Sequence, residues 1–235
     1  MAVSVVDAFT RGNAAQYMNR GTYIPTVGVV TTVHTYHHFL ERWAAGVRGL
    51  QDKPDRIVIA ATSPDEVHKN LDGKLNDYKV VQAQEPFGLG AYLNTAIDAC
   101  RTDIIVWIGV DDRYRPQALN GLRFMDADVI GMGMQYPSGR QWIPSAPTAQ
   151  QVLKVQENLL PCGSAFHRKF WAARPFQPHL APFEDWALWV GFAALGARFA
   201  TTKRIDFDYS QHADQIVPPL EPTRTRIAEW AKGLP

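Results

Sequence analysis

The sequence has little cysteine, no long apolar run and almost no net charge, and each shortage excludes a class of protein. Cys100 and Cys162 are too few for a disulfide framework or a cysteine-based metal knuckle, so we expect reduced thiols in a cytoplasmic protein. No apolar run approaches the roughly 18 to 20 residues that span a bilayer, and the N-terminus lacks the pattern of a secretory signal. The formal charge of +1 argues against an extended electrostatic grip on nucleic acid or an anionic membrane.

What the sequence does contain is an alternation of short apolar runs and amphipathic segments. A chain of 235 residues with 46% hydrophobic residues is sufficient for one well-packed domain. Strands that alternate with helices at this spacing predict an α/β fold with a mostly parallel sheet covered on both faces. The predicted strands are 26–33, 56–61, 78–83, 103–112 and 128–134, and the predicted helices are 39–49, 91–100 and 116–122. A further helix is predicted to begin with Pro64 at its first position and Ser63 as its cap.

The regular alternation fades after Gly131. Residues 136–151 contain three prolines and predict a long loop of the kind that often serves as a lid or a binding surface. A strand at 163–168, an apolar helix at 183–196, short strands at 197–202 and 205–212, and a C-terminal helix at 223–233 follow. These elements predict an α+β extension on the same core, within a single domain of residues 1–235 that also includes a short helix capped by Asp7.

One strand ends on two adjacent carboxylates. The run D-I-I-V-W-I-G-V-D-D, from Asp103 to Asp112, is apolar without alternation, which is typical of a strand buried on both faces. Ligands of open α/β sheets gather at the carboxyl ends of such strands, and Asp111 and Asp112 are well placed there to hold a divalent cation. The alternative is a solvated turn, because Asp is common where strands end.

Three motifs in order make the chain resemble the inverting glycosyltransferases of family 2, which have the Rossmann-like GT-A fold. The first is G-L-G-A-Y-L-N-T-A-I-D-A-C-R-T-D-I-I-V-W-I-G-V-D-D, from Gly88 to Asp112. The second is F-E-D-W-A-L-W, and the third is Y-S-Q-H-A-D-Q; the match covers roughly residues 27–216. The resemblance implies transfer of a sugar from a nucleoside-diphosphate donor to a hydroxyl acceptor. It also divides the domain into a nucleotide-sugar-binding half (24–135), an acceptor and catalytic half (136–216) and a terminal helix (217–235).

The resemblance assigns roles to five side chains. Asp111 is the expected ligand of Mn²⁺ or Mg²⁺, and Asp112 orients the loop or the donor sugar. His212 supplies a nitrogen ligand or binds the diphosphate, and imidazole ligation favours manganese. Asp185 is the expected general base, at a helix N-terminus where the macrodipole favours the ionised carboxylate, while Glu184 supports the site or binds the acceptor. The alternatives are a structural histidine and acids that simply complement the helix dipole.

Further residues are expected around the donor and the acceptor. Gly88 and Gly90 let the backbone approach the donor, and Asn94 braces the nucleotide loop. Thr32 and His34, at the end of the first strand, are predicted by position to cradle the nucleotide. Among the tryptophans, 186 and 189 are expected in the core, whereas Trp142 lies in the loop that would cover an acceptor.

Two departures from the family pattern leave the substrates open. An acid usually stands two residues before the metal-binding aspartate, where this chain has Gly109, and acids usually follow the second strand, which here ends in Ala60-Ala61. Recognition of the donor base is therefore expected to differ. The acceptor is a small molecule, a protein or a hydroxylated base in DNA, the last through basic residues at 113–115, 140 and 223–226. A non-catalytic relative that binds a nucleotide sugar is the further alternative.

Overall fold

The computed structural model describes residues 23–83, 88–212 and 220–234. The strands are β1 (Val27–Val33), β2 (Arg56–Ala61), β3 (Tyr78–Gln82), β4 (Ile104–Trp107), β5 (Arg113–Tyr114), β6 (Val129–Gln135), β7 (Gln141–Trp142), β8 (Ala165–His167) and β9 (Phe199–Asp208). The α-helices are α1 (Leu40–Arg48), α2 (Pro64–Leu71), α3 (Gly88–Cys100), α4 (Ala149–Leu153), α5 (Arg168–Ala173), α6 (Glu184–Ala194) and α7 (Leu220–Ala231). Short 3-10 helices occupy His37–Phe39, Leu122–Phe124 and Pro178–Leu180. None of the helices in these ranges combines the length and apolar character that crossing a bilayer requires.

All the described strands join one sheet in the order β3-β2-β1-β4-β8-β6-β9-β5, with β7 paired to β6. Strands β3, β2, β1 and β4 are mutually parallel, and β6 is parallel to β9. Strand β8 is antiparallel to both β4 and β6, so β6 and β9 run in the same direction as β4. The predicted mostly parallel, helix-covered α/β sheet is therefore confirmed, and the residues after 136 extend that same sheet.

The core lies in two layers because neighbouring residues of the central strands point to opposite faces. Val29 packs into one layer with Trp43 of α1, whereas Val30 packs into the other layer with α3 and α6. Every residue of β4 is buried, as expected of a central strand covered on both faces. Trp186 and Trp189 are each 1% exposed, which confirms that they belong to the core.

Two predicted elements are wrong, and both corrections involve Arg204. Residues 116–122 form turns rather than a helix, because the Arg204 guanidinium takes the carbonyls of Gln117 and Asn120 that a helix would bond internally. Gly121 then adopts a left-handed φ of 78° before the 3-10 turn. The two short strands predicted at 197–202 and 205–212 are one strand, β9, whose register with β6 shifts beside Gly133.

Smaller corrections concern the ends of elements. Pro64 is the first residue of α2 as predicted, but the Ser63 side chain makes no capping hydrogen bond. The strand predicted to reach Asp112 ends at Trp107, and residues 108–112 form an irregular segment that closes in a turn. The predicted loop at 136–151 contains β7 and the start of α4. The helix predicted near Asp7 lies outside the described residues.

One buried acid of the sheet gives the fold a measurable pH dependence. Asp206 of β9 is fully buried and accepts hydrogen bonds from the Arg204 side chain at 2.8 Å and the Gly133 backbone N–H at 3.1 Å. Burial raises the pKa of Asp206 to about 6, although Arg204 and these hydrogen bonds pull it down. Between about pH 4 and 6 the folded chain therefore retains a proton that the unfolded chain has released.

We expect this group to lower the free energy of unfolding by up to about 3 kcal/mol as pH rises through that window. Asp206→Asn should remove this contribution, so the free energy of unfolding, measured by urea denaturation from pH 4 to 7, should fall less steeply than in the wild type. Asp65→Asn, which changes an exposed acid of α2, is the control and should keep the wild-type slope. Parallel pH profiles for wild type and Asp206→Asn would contradict the assignment.

Candidate active site

The segment after β4 closes in a tight turn that places two carboxylates side by side. The Asp112 backbone N–H donates to the Gly109 carbonyl at 3.0 Å, which closes the turn. A Cβ atom at Gly109 would lie 2.3 Å from Oδ1 of Asp111. The Asp111 carboxylate therefore occupies this space in the structure and would have to turn away to admit a side chain at position 109.

Asp112 ties this turn to the segment that leaves β9. Its side chain is 2% exposed, and its Oδ1 accepts the Ser210 backbone N–H at 2.7 Å. Burial and the neighbouring Asp111 carboxylate raise the pKa of Asp112 well above its ordinary value, while the Ser210 N–H and the Arg42 guanidinium oppose the rise. A buried carboxylate with a backbone partner is a positioning group, and what it positions is the chain leading to His212.

Asp111 and His212 are brought face to face. Oδ2 of Asp111 lies 3.1 Å from Nε2 of His212, and both side chains are 18% exposed. The imidazole packs edge-on against the Tyr36 ring, with centroids 5.2 Å apart, and lies 5.3 Å from the Phe39 ring. The 3-10 helix and the residue before it therefore fix the orientation of His212.

The donor types of these two side chains would suit a divalent cation. Their 3.1 Å contact is a hydrogen bond, or an ion pair when the imidazole is protonated. A carboxylate oxygen and an imidazole nitrogen would together hold an ion such as Mn²⁺, which accepts both kinds of ligand. Within residues 23–83, 88–212 and 220–234 there is no cluster of three or more potential metal ligands. The described part of the chain can thus offer Asp111 and His212 as a pair of ligands.

Glu184 and Asp185 begin α6, as predicted. The Asn158 side chain donates to Oδ2 of Asp185 at 2.8 Å. Burial raises the pKa of Asp185, and the hydrogen bonds from Asn158 and from backbone N–H groups at the helix start reduce that rise without cancelling it. The helix terminus therefore favours the ionised form as predicted, but burial has the larger effect. Glu184 is buried, and burial also raises its pKa.

Cys162 shows that the acids of both elements face one region. Burial raises the pKa of its thiol well above the usual range, and the nearby carboxylates of Asp112, Asp185 and Asp111 raise it further. The turn after β4 and the start of α6 are therefore both near enough to Cys162 for their carboxylates to act on its thiol. Neither Cys162 nor Asn158 belongs to a motif, and no signal in the sequence would have identified them as part of this site.

The family follows from comparison of the whole chain. The family model described as Glycosyl transferase family 2 matches residues 29–171. The chain belongs to glycosyl transferase family 2. No curated protein matches the sequence significantly.

Solved structures with a similar fold are themselves glycosyltransferases or complexes of them. TarS 1–349 from S. aureus, in complex with UDP, has a TM-score of 0.66 at 16% identity, covering 88% of this chain and 65% of that one. The same protein without ligand gives 0.63 at 15% identity, covering 78% and 60%. The chain thus spans less than two thirds of the TarS fragment. The mannosyltransferase PcManGT from Pyrobaculum calidifontis, in complex with GDP-Man and Mn²⁺, gives 0.60 at 16% identity, covering 96% and 81%. At this identity the likeness establishes the GT-A fold.

The residues predicted to cradle the nucleotide of this family 2 protein lie at the carboxyl ends of neighbouring strands. Thr32 pairs with Ala60 in the sheet, and His34 follows β1, with its Nδ1 atom 3.2 Å from the Thr62 hydroxyl. Ala60 and Ala61 are fully buried, one in each core layer. An acid at either position would have to be accommodated in the core.

The two glycines differ in their surroundings. Gly88 begins α3 with a left-handed φ of 74°, and the space where a Cβ would stand is open. A Cβ at Gly90 would lie 3.4 Å from the Glu184 side chain and 3.4 Å from Phe176. Gly90 therefore connects the donor side of the domain with the start of α6.

Several of the basic residues considered for a phosphate patch make contacts within the fold. Arg115 binds the Asp208 carboxylate at 2.7 Å, and the Arg140 guanidinium lies 4.0 Å from the centre of the Tyr136 ring. Arg226 donates to backbone carbonyls of the 3-10 turn at 178–180 and of the residue after it. A shared nucleic-acid surface stays a prediction.

Asn94 braces the protein itself. Its Oδ1 accepts hydrogen bonds from the Trp171 indole at 2.8 Å and the Phe176 backbone N–H at 3.0 Å, and its Nδ2 donates to the Phe176 carbonyl. All three bonds fix the segment that leads from α5 towards α6. The predicted contact with the nucleotide loop stays a prediction.

We expect Asn94→Ala to lower the free energy of unfolding by about 2 to 4 kcal/mol, because two buried donors lose their acceptor. Chemical denaturation measures this loss. Asn70→Ala, which removes a single side-chain bond to a backbone carbonyl on α2, is the control and should change stability by no more than about 0.5 kcal/mol. Wild-type stability combined with weakened donor binding in Asn94→Ala would instead favour a direct nucleotide contact.

Proposed function

We propose that this protein is a metal-dependent inverting glycosyltransferase that moves a sugar from a nucleoside-diphosphate donor to a hydroxyl group. The observation that supports it most is the pairing of Asp111 and His212 at 3.1 Å, at the carboxyl end of a central strand. The proposal is also supported by the carboxylates of Asp111, Asp112 and Asp185, which come from two distant parts of the chain and all raise the pKa of the Cys162 thiol. With both cysteines as free thiols, we place the reaction in the cytoplasm.

Asp111 and His212 would hold the cation, and Mn²⁺ is the proposed ion because it accepts imidazole more readily than Mg²⁺ does. When bound, the ion neutralises charge on the departing diphosphate. The Pyrobaculum mannosyltransferase is described with GDP-Man and Mn²⁺ and TarS with UDP-GlcNAc, which supports a nucleotide-sugar donor here. Asp112 acts indirectly, since its carboxylate holds the Ser210 backbone and with it the approach to His212.

Asp185 is the proposed general base. Its carboxylate takes the proton of the acceptor hydroxyl, and the hydroxyl oxygen forms a bond to the anomeric carbon of the donor. The bond from that carbon to the diphosphate oxygen breaks, and its electron pair leaves with the nucleoside diphosphate. Attack from the face opposite the leaving group inverts the configuration. The raised pKa of Asp185 brings its basicity closer to neutral pH, where a base is most effective.

The donor half of the domain is proposed to comprise residues 24–135 and the acceptor half 136–216, followed by the terminal helix of 217–235. Thr32, His34, Gly88 and Gly90 would surround the donor at the carboxyl edge of the sheet. Because β2 ends in Ala60 and Ala61 in place of acids, the donor base would be read by neutral groups at that strand end. Glu184, buried between Gly90 and Asp185, would connect the two halves.

The proposal predicts that one nucleotide sugar stabilises the protein only when Mn²⁺ is present. A thermal-shift panel of UDP-, GDP-, CDP- and dTDP-sugars with and without Mn²⁺ tests this, since ligand at 100 times its Kd adds about 2.7 kcal/mol. Asp111→Asn should abolish the stabilisation that depends on Mn²⁺. His212→Ala should weaken Mn²⁺ binding about tenfold or more, as measured by electron paramagnetic resonance.

His68→Ala is the matched control, because His68 lies on α2 beside Tyr78, on another element. It should retain the wild-type response to donor and Mn²⁺. If the protein responds to no donor, or if Asp111→Asn responds like the wild type, the proposal is contradicted and the non-catalytic alternative is favoured.

The role of Asp185 has a signature in the pH profile. We expect Asp185→Asn to lower kcat by about 10²- to 10⁴-fold. In the wild type, kcat/KM should fall as pH decreases through the raised pKa of Asp185, because the protonated carboxyl cannot accept the acceptor's proton. Asn158→Leu removes a hydrogen bond that lowers this pKa, so the acidic limb should move to higher pH. Asn70→Leu should leave the limb in place; a limb that Asn158→Leu does not move would exclude Asp185 as its origin.

A further inference from the structure

A cavity of about 340 Å³ opens among the residues that follow β6, between the β7 segment and the chain after α4. Asn158 lines this cavity and also donates to Oδ2 of Asp185 at 2.8 Å. Asn158 therefore lies in the cavity wall and is also hydrogen-bonded to the proposed base. The volume is near the lower end of the range of about 300 to 1,000 Å³ for small-molecule sites, which suits one ring-sized group.

The wall formed by β7 and the residues after it is firmly held. Trp142 pairs with Met134 of β6, and its partly exposed indole packs against the core on one side. A Cβ at Gly133 would lie 3.3 Å from Ile143, and one at Gly131 would lie 3.0 Å from Pro144. Glycines in β6 therefore let this loop lie directly on the strand, and Trp142 offers the cavity a fixed aromatic surface.

The polar groups of the cavity are neutral or negative. Ser145, Gln151, Glu157 and Asn158 line it, and none of its described lining residues is lysine or arginine. Glu157 is exposed and makes no hydrogen bond or ion pair with another residue of the described ranges, so its carboxylate is available to a ligand. The Glu157 carboxylate in the cavity wall would repel a phosphate or a carboxylate on an acceptor.

We propose that this cavity is the acceptor site and that it takes an uncharged carbohydrate. This inference rests on the proposed function. A sugar ring presents an apolar C–H face that suits the Trp142 indole, and hydroxyl groups that donate to the Glu157 carboxylate and exchange hydrogen bonds with Ser145 and Gln151. The nearest hydroxyl would then lie against Asp185, oriented by Asn158. DNA is disfavoured as the acceptor, because binding to its phosphates needs cations that the cavity does not supply.

The test combines binding with turnover. A glycan array carrying neutral, uronic-acid and sugar-phosphate ligands, with a hydroxymethylated DNA duplex as an added spot, is probed with the wild type and with Trp142→Ala, Glu157→Arg and Glu66→Arg. Glu66 is an exposed acid of α2 and serves as the charge-matched control for Glu157. The wild type and Glu66→Arg should bind neutral glycans, while Trp142→Ala should lose the signal at least tenfold. Glu157→Arg should lose neutral ligands and gain anionic ones.

Turnover of the donor separates this inference from the function beneath it. Release of nucleoside diphosphate by slow Mn²⁺-dependent hydrolysis tests the glycosyltransferase assignment without any acceptor. The neutral glycan found on the array should accelerate that release in the wild type, and the ratio of transfer to hydrolysis should fall at least tenfold in Trp142→Ala.

Several results would contradict the proposed acceptor site without contradicting the proposed glycosyltransferase function. They are preferential binding of DNA or anionic glycans by the wild type, the absence of any bound glycan, and unchanged glycan binding by Trp142→Ala and Glu157→Arg. If the donor is not hydrolysed at all, the proposed function itself fails.

Discussion

The hydrogen bond from the Ser210 backbone to the buried Asp112 carboxylate is the constraint on which the site depends. It joins the turn after β4 to the chain leaving β9, two segments about a hundred residues apart in sequence. That connection places His212 opposite Asp111. Burying one carboxylate beside another is unfavourable, as the raised pKa of Asp112 shows. The fold accepts this unfavourable contact at the place where a bound cation would offset it, which is typical of functional sites.

The sequence was sufficient for the features that depend on local pattern. Strands β1, β2 and β4 are apolar runs without alternation, and this is what burial on both faces requires. The start of α6 was predictable because a pair of acids precedes an apolar segment. The prediction that Asp111 and His212 lie close together came from the resemblance to glycosyltransferases, because no periodicity in the sequence relates residues so far apart. Comparison with the family then confirmed the fold.

What could not be predicted depends on contacts between distant residues. Residues 116–122 have a helical pattern, yet the Arg204 side chain donates hydrogen bonds to two of their carbonyls. Neither segment alone indicates that Arg204 of β9 lies beside them. The reversed strand β8 is three residues long, too short for a pattern to give its direction. Asn158 is an unremarkable polar residue in the sequence, and only its contact with Asp185 gives it meaning.

The two departures from the family pattern have the same physical character. At Gly109 the space of a side chain is filled by the Asp111 carboxylate, and at Ala60 and Ala61 the two core layers close over the strand end. At the end of β2 packing thus takes the place of charge, whereas Asp111, Asp112 and Asp185 remain close enough to Cys162 to raise the pKa of its thiol. The net charge of +1 hides this local group of carboxylates. Any electrostatic discrimination between partners would have to come from such local groups, since the net charge of the whole molecule is close to zero.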